Sequence, residues 1–202
     1  MAGELILVRH GRTDANARGL LLGRRDAVLD DLGRAQAAAL AASMPHPDLV
    51  VTSPLARARD TAAAFATDVT VMDELIELDY GDWDGRPAAE VPPEAWAAWR
   101  RDPDFAPPGG ESLAHLTARV HDALDDLAAG LDGRTAVVVS HVSPIKAAVG
   151  WTLGVGVEVA WRTFVAPASL TRIGVGERAG EHTLRSFNVT THLDDLQERA
   201  RH

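Results

Sequence analysis

Two hydrophobic patterns alternate along the chain, one typical of strands and the other of helices. Short runs rich in apolar and β-branched residues predict six strands, at 5–9, 49–52, 69–72, 135–139, 169–175 and 183–189. The run at 135–139 contains three consecutive valines and no alternating polar residues, which indicates a central parallel strand covered on both faces. Apolar residues spaced three and four apart predict helices at 31–42, 55–66, 111–127 and 144–153.

The order strand, helix, strand, helix predicts a three-layer α/β/α fold around a mostly parallel sheet. Asp30 is the N-cap predicted for the first helix, and Ser53 and Pro54 are the N-cap and first residue predicted for the second. We expect a single domain over residues 1–190. A polar tail follows at 191–202, and it is either loose or a docking helix.

The segment 73–110 differs in composition from the rest of the chain. It holds six of the 11 prolines and three of the five tryptophans, which are Trp83, Trp96 and Trp99. We interpret this segment as an insertion or lid over one edge of the sheet. Trp96 and Trp99 allow two interpretations, a homodimer surface or, as we favour, a lid packed on its own helix.

The composition is that of an ordinary globular domain, with 202 residues of which 46% are hydrophobic and 24% charged. The absence of cysteine excludes disulfide frameworks, thiolate zinc sites and cysteine nucleophiles. No apolar stretch approaches the ~20 residues of a membrane span, and the apolar run before Arg9 is too short for a signal peptide. We therefore expect a cytoplasmic protein.

The charge is acidic overall, with a formal net value of −9, which disfavours binding to nucleic acid or to anionic membranes. Of the 20 basic residues, 19 are arginine and only Lys146 is lysine. A GC-rich coding genome explains most of this bias. Arginine is nevertheless the side chain that grips phosphate with two parallel hydrogen bonds. An acidic protein that handles an anion has to concentrate its positive charge in one place.

Candidate functional residues follow three separate predicted strands. Arg9 and His10 stand at the end of the first strand. Arg57 lies in the first turn of the helix after the second strand, and His141 follows the valine-rich strand. Because ligands of open α/β sheets bind beyond the carboxyl ends of the strands, we expect these four side chains to converge at one sheet edge. One such residue alone would more often be structural, but four together favour a site.

Two histidines and two arginines suit phosphoryl transfer without a metal ion. A neutral imidazole attacks phosphorus without needing a base to remove its proton. The transition state carries negative charge on its equatorial oxygens, which guanidinium groups and the N-terminus of the helix bearing Arg57 would stabilise. The leaving alkoxide needs a proton from a carboxylic acid, whose pKa burial and a nearby phosphate raise. An otherwise solvated acidic cluster offers candidates for this acid: Asp73, Glu74, Glu77, Asp79, Asp82 and Asp84.

Six segments of the sequence, in the right order, resemble the histidine phosphatase or phosphoglycerate mutase-like superfamily. They are the run Leu-Val-Arg-His-Gly-Arg-Thr-Asp-Ala-Asn at 7–16, and the segments 29–37, 53–62, 77–85, 108–112 and 139–141. The resemblance covers nearly the whole chain and is strongest for the phosphatase branch, including α-ribazole phosphatase-like and broad-specificity members. Val142 departs from the pattern because many members have glycine there, and we expect its side chain to narrow or reshape the pocket.

The resemblance implies a role for particular residues. His10 would be the nucleophile that is phosphorylated, and Glu77 would donate the proton to the leaving group. Phosphate binding is implied for Arg9, Asn16, Arg57 and His141. Arg24 is placed near the substrate mouth, where Trp83 of the lid is our candidate for an apolar wall. The implied enzyme acts on a small phosphate ester and uses no metal and no cofactor.

Two alternatives to a phosphatase stay open. A cofactor-dependent phosphoglycerate mutase is the main one, because Arg100 and Arg101 resemble the paired arginines with which mutases hold a carboxylate. Against it, only 63 residues separate Glu77 from His141, where mutases usually carry a longer insertion, and the run at 82–85 resembles the phosphatase branch. A non-catalytic phospho-ligand binding module is remote, because such a module does not need a nucleophile and an acid together.

Overall fold

A six-stranded sheet forms the centre of the computed structural model, which describes residues 3–178 and 180–199. Its strands are β1 (Gly3–Arg9), β2 (Leu49–Thr52), β3 (Val69–Val71), β4 (Thr135–Ser140), β5 (Leu170–Val175) and β6 (Thr183–Val189). They lie in the order β3-β2-β4-β1-β5-β6. The first four are parallel to one another, and β5 and β6 continue the sheet in antiparallel pairing. The prediction of a mostly parallel sheet is confirmed.

Seven α-helices connect or flank the strands in the described residues. They are α1 (Asp14–Ala17), α2 (Asp31–Ala42), α3 (Ala56–Ala62), α4 (Pro93–Arg101), α5 (Leu113–Ala129), α6 (Val142–Leu153) and α7 (Asp194–Arg199). None of them, within this described part of the chain, is both long and apolar enough to cross a membrane.

The side chains of β1 alternate between two apolar clusters on opposite faces of the sheet. Leu5 and Leu7 belong to the cluster that includes residues of α5 and α6. Ile6 and Val8 belong to the cluster that includes residues of α2 and α3. Because both faces are covered by helices, the central strands have no polar alternation. This arrangement confirms the three-layer fold.

The helix starts agree with the sequence in one case and differ in another. Asp30 caps α2 as predicted, since its Oδ1 accepts a hydrogen bond from the N–H of Gly33 at 2.7 Å. The prediction that Ser53 caps α3 and that Pro54 is its first residue is wrong, because the N-cap is Leu55 and the helix begins at Ala56. The hydroxyl of Ser53 instead lies 2.7 Å from Nε2 of His141, which follows the neighbouring strand β4, and its contact with the N–H of Leu55 is long, at 3.4 Å. The Ser53 side chain, which the local sequence assigns to the start of the helix, therefore bonds His141, a residue distant in the sequence.

The lid at 73–110 contains α4 and three short 3₁₀ turns. Its centre is an aromatic cluster of six rings, which are Tyr80, Trp83, Trp96, Trp99, Phe105 and, from outside the lid, Trp161. The ring centroid of Trp99 lies 5.5–6.2 Å from the other five. Trp99 is buried and Trp96 is half-buried inside this packing, as the lid interpretation expects. The homodimer stays a prediction.

The C-terminal segment contacts the body of the fold. Residues 191–193 form a 3₁₀ turn against α2, and Leu193 is buried there. Nε2 of His192 donates to the carbonyl of Ala168 at 2.9 Å. These contacts favour the docking interpretation for the start of the tail. Residues 200–202 lie outside the described residues, and the domain boundary at 190 stays a prediction.

Candidate active site

His10 stands at the end of β1 with its backbone fixed on both sides. Its N–H donates to the carbonyl of Ser140, and its own carbonyl accepts from the N–H of Ala168. Nδ1 of the ring lies 2.7 Å from the carbonyl oxygen of Gly11. Since a carbonyl only accepts, Nδ1 carries the proton and Nε2 keeps its lone pair. Burial, with the nearby charges of Arg9 and Arg57, holds the pKa of His10 well below its usual range. The ring is therefore a neutral imidazole with a free Nε2.

His141 follows β4 and lies beside His10, with 5.1 Å between the ring centroids. Its Nδ1 accepts a hydrogen bond from Nε of Arg57 at 3.2 Å. A guanidinium cannot accept, so the proton of His141 is on Nε2 and is donated to Ser53 Oγ. Burial and the charge of Arg57 lower the pKa of His141 well below its usual range. Arg57 and Ser53 together fix this ring in one tautomer.

Arg57 is completely buried, in the first turn of α3. Its Nη2 donates to the carbonyl of Gly23 at 2.6 Å and its Nη1 to the carbonyl of Arg25 at 2.9 Å. With the bond to His141, these contacts use three of its five N–H groups, and the described residues leave the other two for a ligand. Burial lowers its pKa, and the carboxylates of Glu77 and Asp84 oppose that shift.

The N-terminus of α3 is not the open anion site that the sequence suggested. The N–H of Ala56, the first residue of the helix, donates to Oδ1 of Asp26 at 2.8 Å. A carboxylate of the protein therefore occupies this end of the helix. At this point the group left to face an anion is the Arg57 side chain rather than the helix end.

Arg9 brings a second buried guanidinium to the same edge of the sheet. Its Nη1 donates to the carbonyl of Val165 at 2.6 Å, while its Nε has no hydrogen-bond partner among the described residues. Burial lowers its pKa to about 10, so the side chain stays charged at neutral pH. A buried donor without an acceptor costs free energy. An anionic oxygen from a ligand would remove that cost.

Glu77 is buried at the N-terminus of α6, next to His141. Its carboxylate accepts hydrogen bonds from the N–H groups of Leu78 at 2.7 Å, Val142 at 3.0 Å and Ser143 at 3.2 Å. The backbone N–H of Val142, at the position where the family pattern has glycine, is thus directed to Glu77. These contacts place a carboxyl group beside the two histidines.

Asn16 and Arg24 lie in the segment that follows His10. Oδ1 of Asn16 accepts from the N–H and the hydroxyl of Thr13, so only its amide N–H groups are donors for a ligand. Arg24 is exposed and forms ion pairs with Asp79 at 3.4 Å and Glu111 at 3.2 Å. The guanidinium of Arg24 is therefore held by two carboxylates of the protein.

Trp83 is nine-tenths buried in the aromatic cluster. Its stacked neighbour is Phe105, with 6.3 Å between the centroids. The side chain is therefore part of the packing inside the lid, and any contact with substrate stays a prediction.

Sequence reasoning missed three residues that belong to this site. Ser53 was assigned to a helix cap, and Asp84 was grouped with acidic residues expected to be solvated, although it is nine-tenths buried. Tyr80 lies near Glu77, and burial together with the charge of Glu77 raises the pKa of its hydroxyl. The only available signal was proximity in sequence, because Tyr80 and Asp84 flank the motif tryptophan.

The assembled groups can carry out nucleophilic substitution at phosphorus. The neutral ring of His10 supplies a lone pair, and the guanidinium groups of Arg9 and Arg57 supply fixed positive charge. Glu77 supplies a carboxyl group for proton transfer. Within residues 3–178 and 180–199, no group of three or more His, Asp or Glu side chains is placed to hold a metal ion.

Comparison with known proteins gives one family. The family model described as histidine phosphatase superfamily (branch 1) matches residues 5–190. The chain is 38% identical over 200 residues to a bifunctional protein of Mycobacterium tuberculosis, a match that covers 94% of this chain and 55% of that protein. The chain thus spans about half the length of the first curated relatives it matches.

Two further similarities extend over nearly whole proteins. The chain is 35% identical over 205 residues to phosphoserine phosphatase 1 of Hydrogenobacter thermophilus, covering 96% of this chain and 95% of that one. The crystal structure of the α-ribazole phosphatase from Shigella flexneri superposes with a TM-score of 0.80 at 28% identity, covering 92% and 96% of the two chains. The resemblance inferred from the motifs is confirmed.

Proposed function

This chain belongs to the histidine phosphatase superfamily, and we propose that it hydrolyses phosphomonoesters of small metabolites through a phosphohistidine at His10. The observation that carries the proposal is the state of the His10 ring. Its Nδ1 is bound to a carbonyl, its pKa is low, and Arg57 and His141 stand beside it. That arrangement supports an unprotonated nucleophile in a positively charged, buried pocket.

The first half of the reaction transfers the phosphoryl group to the protein. Nε2 of His10 attacks phosphorus, the ester P–O bond breaks, and the leaving alkoxide takes a proton from Glu77. Arg9, Arg57 and Asn16 bind the phosphoryl oxygens, while the neutral ring of His141 orients Arg57 by accepting from its Nε. The phosphate contact that the resemblance implies for His141 itself stays a prediction, because its Nε2 proton is directed to Ser53. The N–H groups of Arg57 that are left by its three protein contacts are directed to this role. Charge that develops in the transition state meets groups that are already fixed.

The second half of the reaction releases phosphate. Water attacks the phosphohistidine, its proton passes to the carboxylate of Glu77, and the P–N bond breaks to return a neutral His10. Glu77 then carries the proton for the next cycle, so protons balance over the two steps. No metal ion and no cofactor take part in this scheme.

The substrate is a small phosphate ester, and the mouth of the site is formed by the 23–25 loop and the lid. Arg24 is the mouth residue that we assign to contact with the organic part of the substrate. Trp83 contributes to the mouth indirectly, because its packing inside the lid supports the lid. The relative named phosphoserine phosphatase supports small, charged metabolites as substrates.

The mutase alternative loses its main argument. The guanidinium of Arg100 lies over the ring of Trp161, 5.5 Å from its centroid. This contact gives one member of the Arg100–Arg101 pair a packing role in the lid, so the pair does not call for a substrate carboxylate. A phosphatase is therefore the function that we propose over a mutase.

The proposal is tested by phosphate release from an aryl phosphate in the presence of a chelator. We expect full activity with chelator, and a loss on the order of 10⁵-fold for His10→Ala because the nucleophile is absent. Acid-quenched enzyme should carry a labile phosphoryl group in the native chain and none in the variant. Turnover by His10→Ala at the native rate would rule out His10 as the nucleophile.

A further inference from the structure

The carboxylate of Asp84 is buried under the 23–25 loop and holds it from one side. Oδ1 accepts a hydrogen bond from the N–H of Gly23 and Oδ2 accepts one from the N–H of Arg25, both at 2.9 Å. Asp84 is 9% exposed, so these bonds are formed in a largely dry environment. Oδ1 is thus bonded to the residue before Arg24, and Oδ2 to the residue after it.

The same two residues bind Arg57 on the opposite side of the loop. The carbonyls of Gly23 and Arg25 accept from Nη2 and Nη1 of its guanidinium, at 2.6 and 2.9 Å. The loop backbone therefore lies between an anion, Asp84, and a cation, Arg57. Because the N–H that bonds Asp84 and the carbonyl that bonds Arg57 belong to the same residue in each case, moving Gly23 and Arg25 would move the acceptors that orient the guanidinium.

The loop has little freedom to adjust on its own. A Cβ at Gly23 would lie 2.8 Å from the carbonyl oxygen of Leu78 and 2.9 Å from a ring carbon of Tyr80, so this position is tightly packed. Leu21, just before the loop, is bonded to the two residues that follow Asp84. Its N–H donates to the carbonyl of Arg86 at 2.8 Å, and its carbonyl accepts from the N–H of Gly85 at 2.7 Å. The loop is thus attached to the segment 84–86 along its length.

We propose that Asp84 is a positioning residue, which sets the orientation of the Arg57 guanidinium through the carbonyls of Gly23 and Arg25. The effect continues to His141, because Nε of Arg57 holds that ring in its tautomer. The catalytic meaning of this role rests on the proposed phosphatase function. The geometric claim does not depend on turnover.

Asp84→Asn is the main test variant, with Asp82→Asn as its matched control. Asparagine has one oxygen, so one of the two loop N–H groups faces an amide N–H in the variant and that peptide has to move. Asp82 is exposed and two residues away, so its substitution removes the same charge without touching the loop. We expect kcat/KM to fall about 30-fold for Asp84→Asn, and by less than about twofold for the control.

A double-mutant cycle separates positioning from a general structural role. If Asp84 acts through Arg57, Asp84→Asn should cost about 30-fold in the native chain but less than about twofold when Arg57 is already alanine. An equal loss in both backgrounds would overturn the inference. Unfolding temperatures of all four proteins establish that each is folded at the assay temperature. Should Asp84→Asn not fold, Asp84→Glu displaces the same two oxygens while keeping the charge.

A direct readout keeps this inference distinct from the proposed function. The ¹⁵N–¹H resonance of Arg57 Nε, assigned by its disappearance in Arg57→Ala, should shift or broaden in Asp84→Asn and stay in place in Asp82→Asn. An unmoved resonance in Asp84→Asn would overturn the inference whatever happens to turnover. A chain that shows the shift but releases no phosphate from any ester would refute the phosphatase and leave the positioning role standing.

Discussion

Two buried regions of this molecule, the polar edge around His10 and the aromatic cluster around Trp99, are held together in different ways. At the polar edge, charged groups are fixed by directional hydrogen bonds, many of them to backbone atoms. In the aromatic cluster, six rings pack at centroid distances of 5.5 Å and more, and Nε1 of the central Trp99 has no hydrogen-bond partner among the described residues. Directional bonds fix atomic positions, whereas ring packing mainly removes apolar area from water. The first region should therefore control rate and the second stability.

Among the variants that test this comparison, Arg57→Lys should have the largest effect. Lysine keeps the charge but has no planar set of donors, so it cannot bind Gly23, Arg25 and His141 together and still reach a ligand. We expect kcat/KM for an aryl phosphate to fall about 10³-fold, equivalent to ~4 kcal/mol in the barrier. Arg59→Lys, an exposed position on the same helix, is the control and should change it less than about twofold. A similar loss in both variants would contradict the assignment of the effect to the hydrogen bonds of Arg57.

Trp99→Ala tests whether the aromatic cluster controls stability rather than rate. Removing a ring that is 2% exposed should lower the free energy of unfolding by about 3 kcal/mol, measured by urea denaturation. At a temperature where the variant is folded, kcat should stay within about threefold of the native value. Trp99→Phe is the matched control. Because Trp99 Nε1 has no partner among the described residues, losing it should cost little, and we expect about 1 kcal/mol or less.

Glu77→Gln should affect rate according to the leaving group. An alkyl phosphate needs protonation of the departing alkoxide, so its turnover should fall about 10²-fold, while an activated aryl phosphate should lose only a few-fold. The measurement is the slope of log kcat/KM against leaving-group pKa, which should become steeper. Glu74→Gln, an exposed carboxylate nearby, should leave the slope unchanged. Equal losses on all esters would count against Glu77 as the proton donor.

The smallest effect expected is the pH dependence of stability. His10 and His141 are buried with lowered pKa values, and on unfolding each returns to about 6.5. Below pH 6.5 the unfolded chain therefore binds protons that the folded chain does not, and the free energy of unfolding falls as the pH falls. Each histidine should contribute about 1.4 kcal/mol per pH unit once the pH is well below 6.5.

Comparing native and His10→Asn protein by urea denaturation between pH 7.5 and 5 isolates one of these contributions. Other histidines whose pKa values are also lowered, His182 and His192, are present in both proteins and cancel in the difference. The slope below pH 6.5 should be shallower in the variant. Identical slopes would show that His10 is protonated in the folded chain.

Local patterns in the sequence predicted the sheet and the meeting of distant residues at its edge. The three consecutive valines of β4 required a strand covered on both faces, and parallel strands bring their carboxyl ends to one side. His10 and His141 lie together for that reason, although 131 positions separate them. The order of the apolar runs along the chain was enough to predict that these two histidines meet.

The contacts of Ser53 and Asp84 could not be predicted in the same way. The bond from His141 to Ser53 joins positions 88 apart, and the bond from Gly23 to Asp84 joins positions 61 apart. A serine before a proline has the local pattern of a helix cap, and an aspartate among other acids has the pattern of a solvated loop. Only the assembled fold shows which hydroxyl or carboxylate is taken by a distant partner.

The assembly of the site from β1, α3 and α6 couples ligand binding to the stability of the whole chain. His10, His141 and Arg57 follow the neighbouring strands β1, β4 and β2, so a chain in which these strands are unpaired does not bring the three side chains together. A ligand present at about 100 times its Kd should therefore raise the free energy of unfolding by about 2.7 kcal/mol. Thermal melting of His10→Ala with a panel of phosphorylated metabolites would then rank candidate substrates by affinity alone, without any turnover.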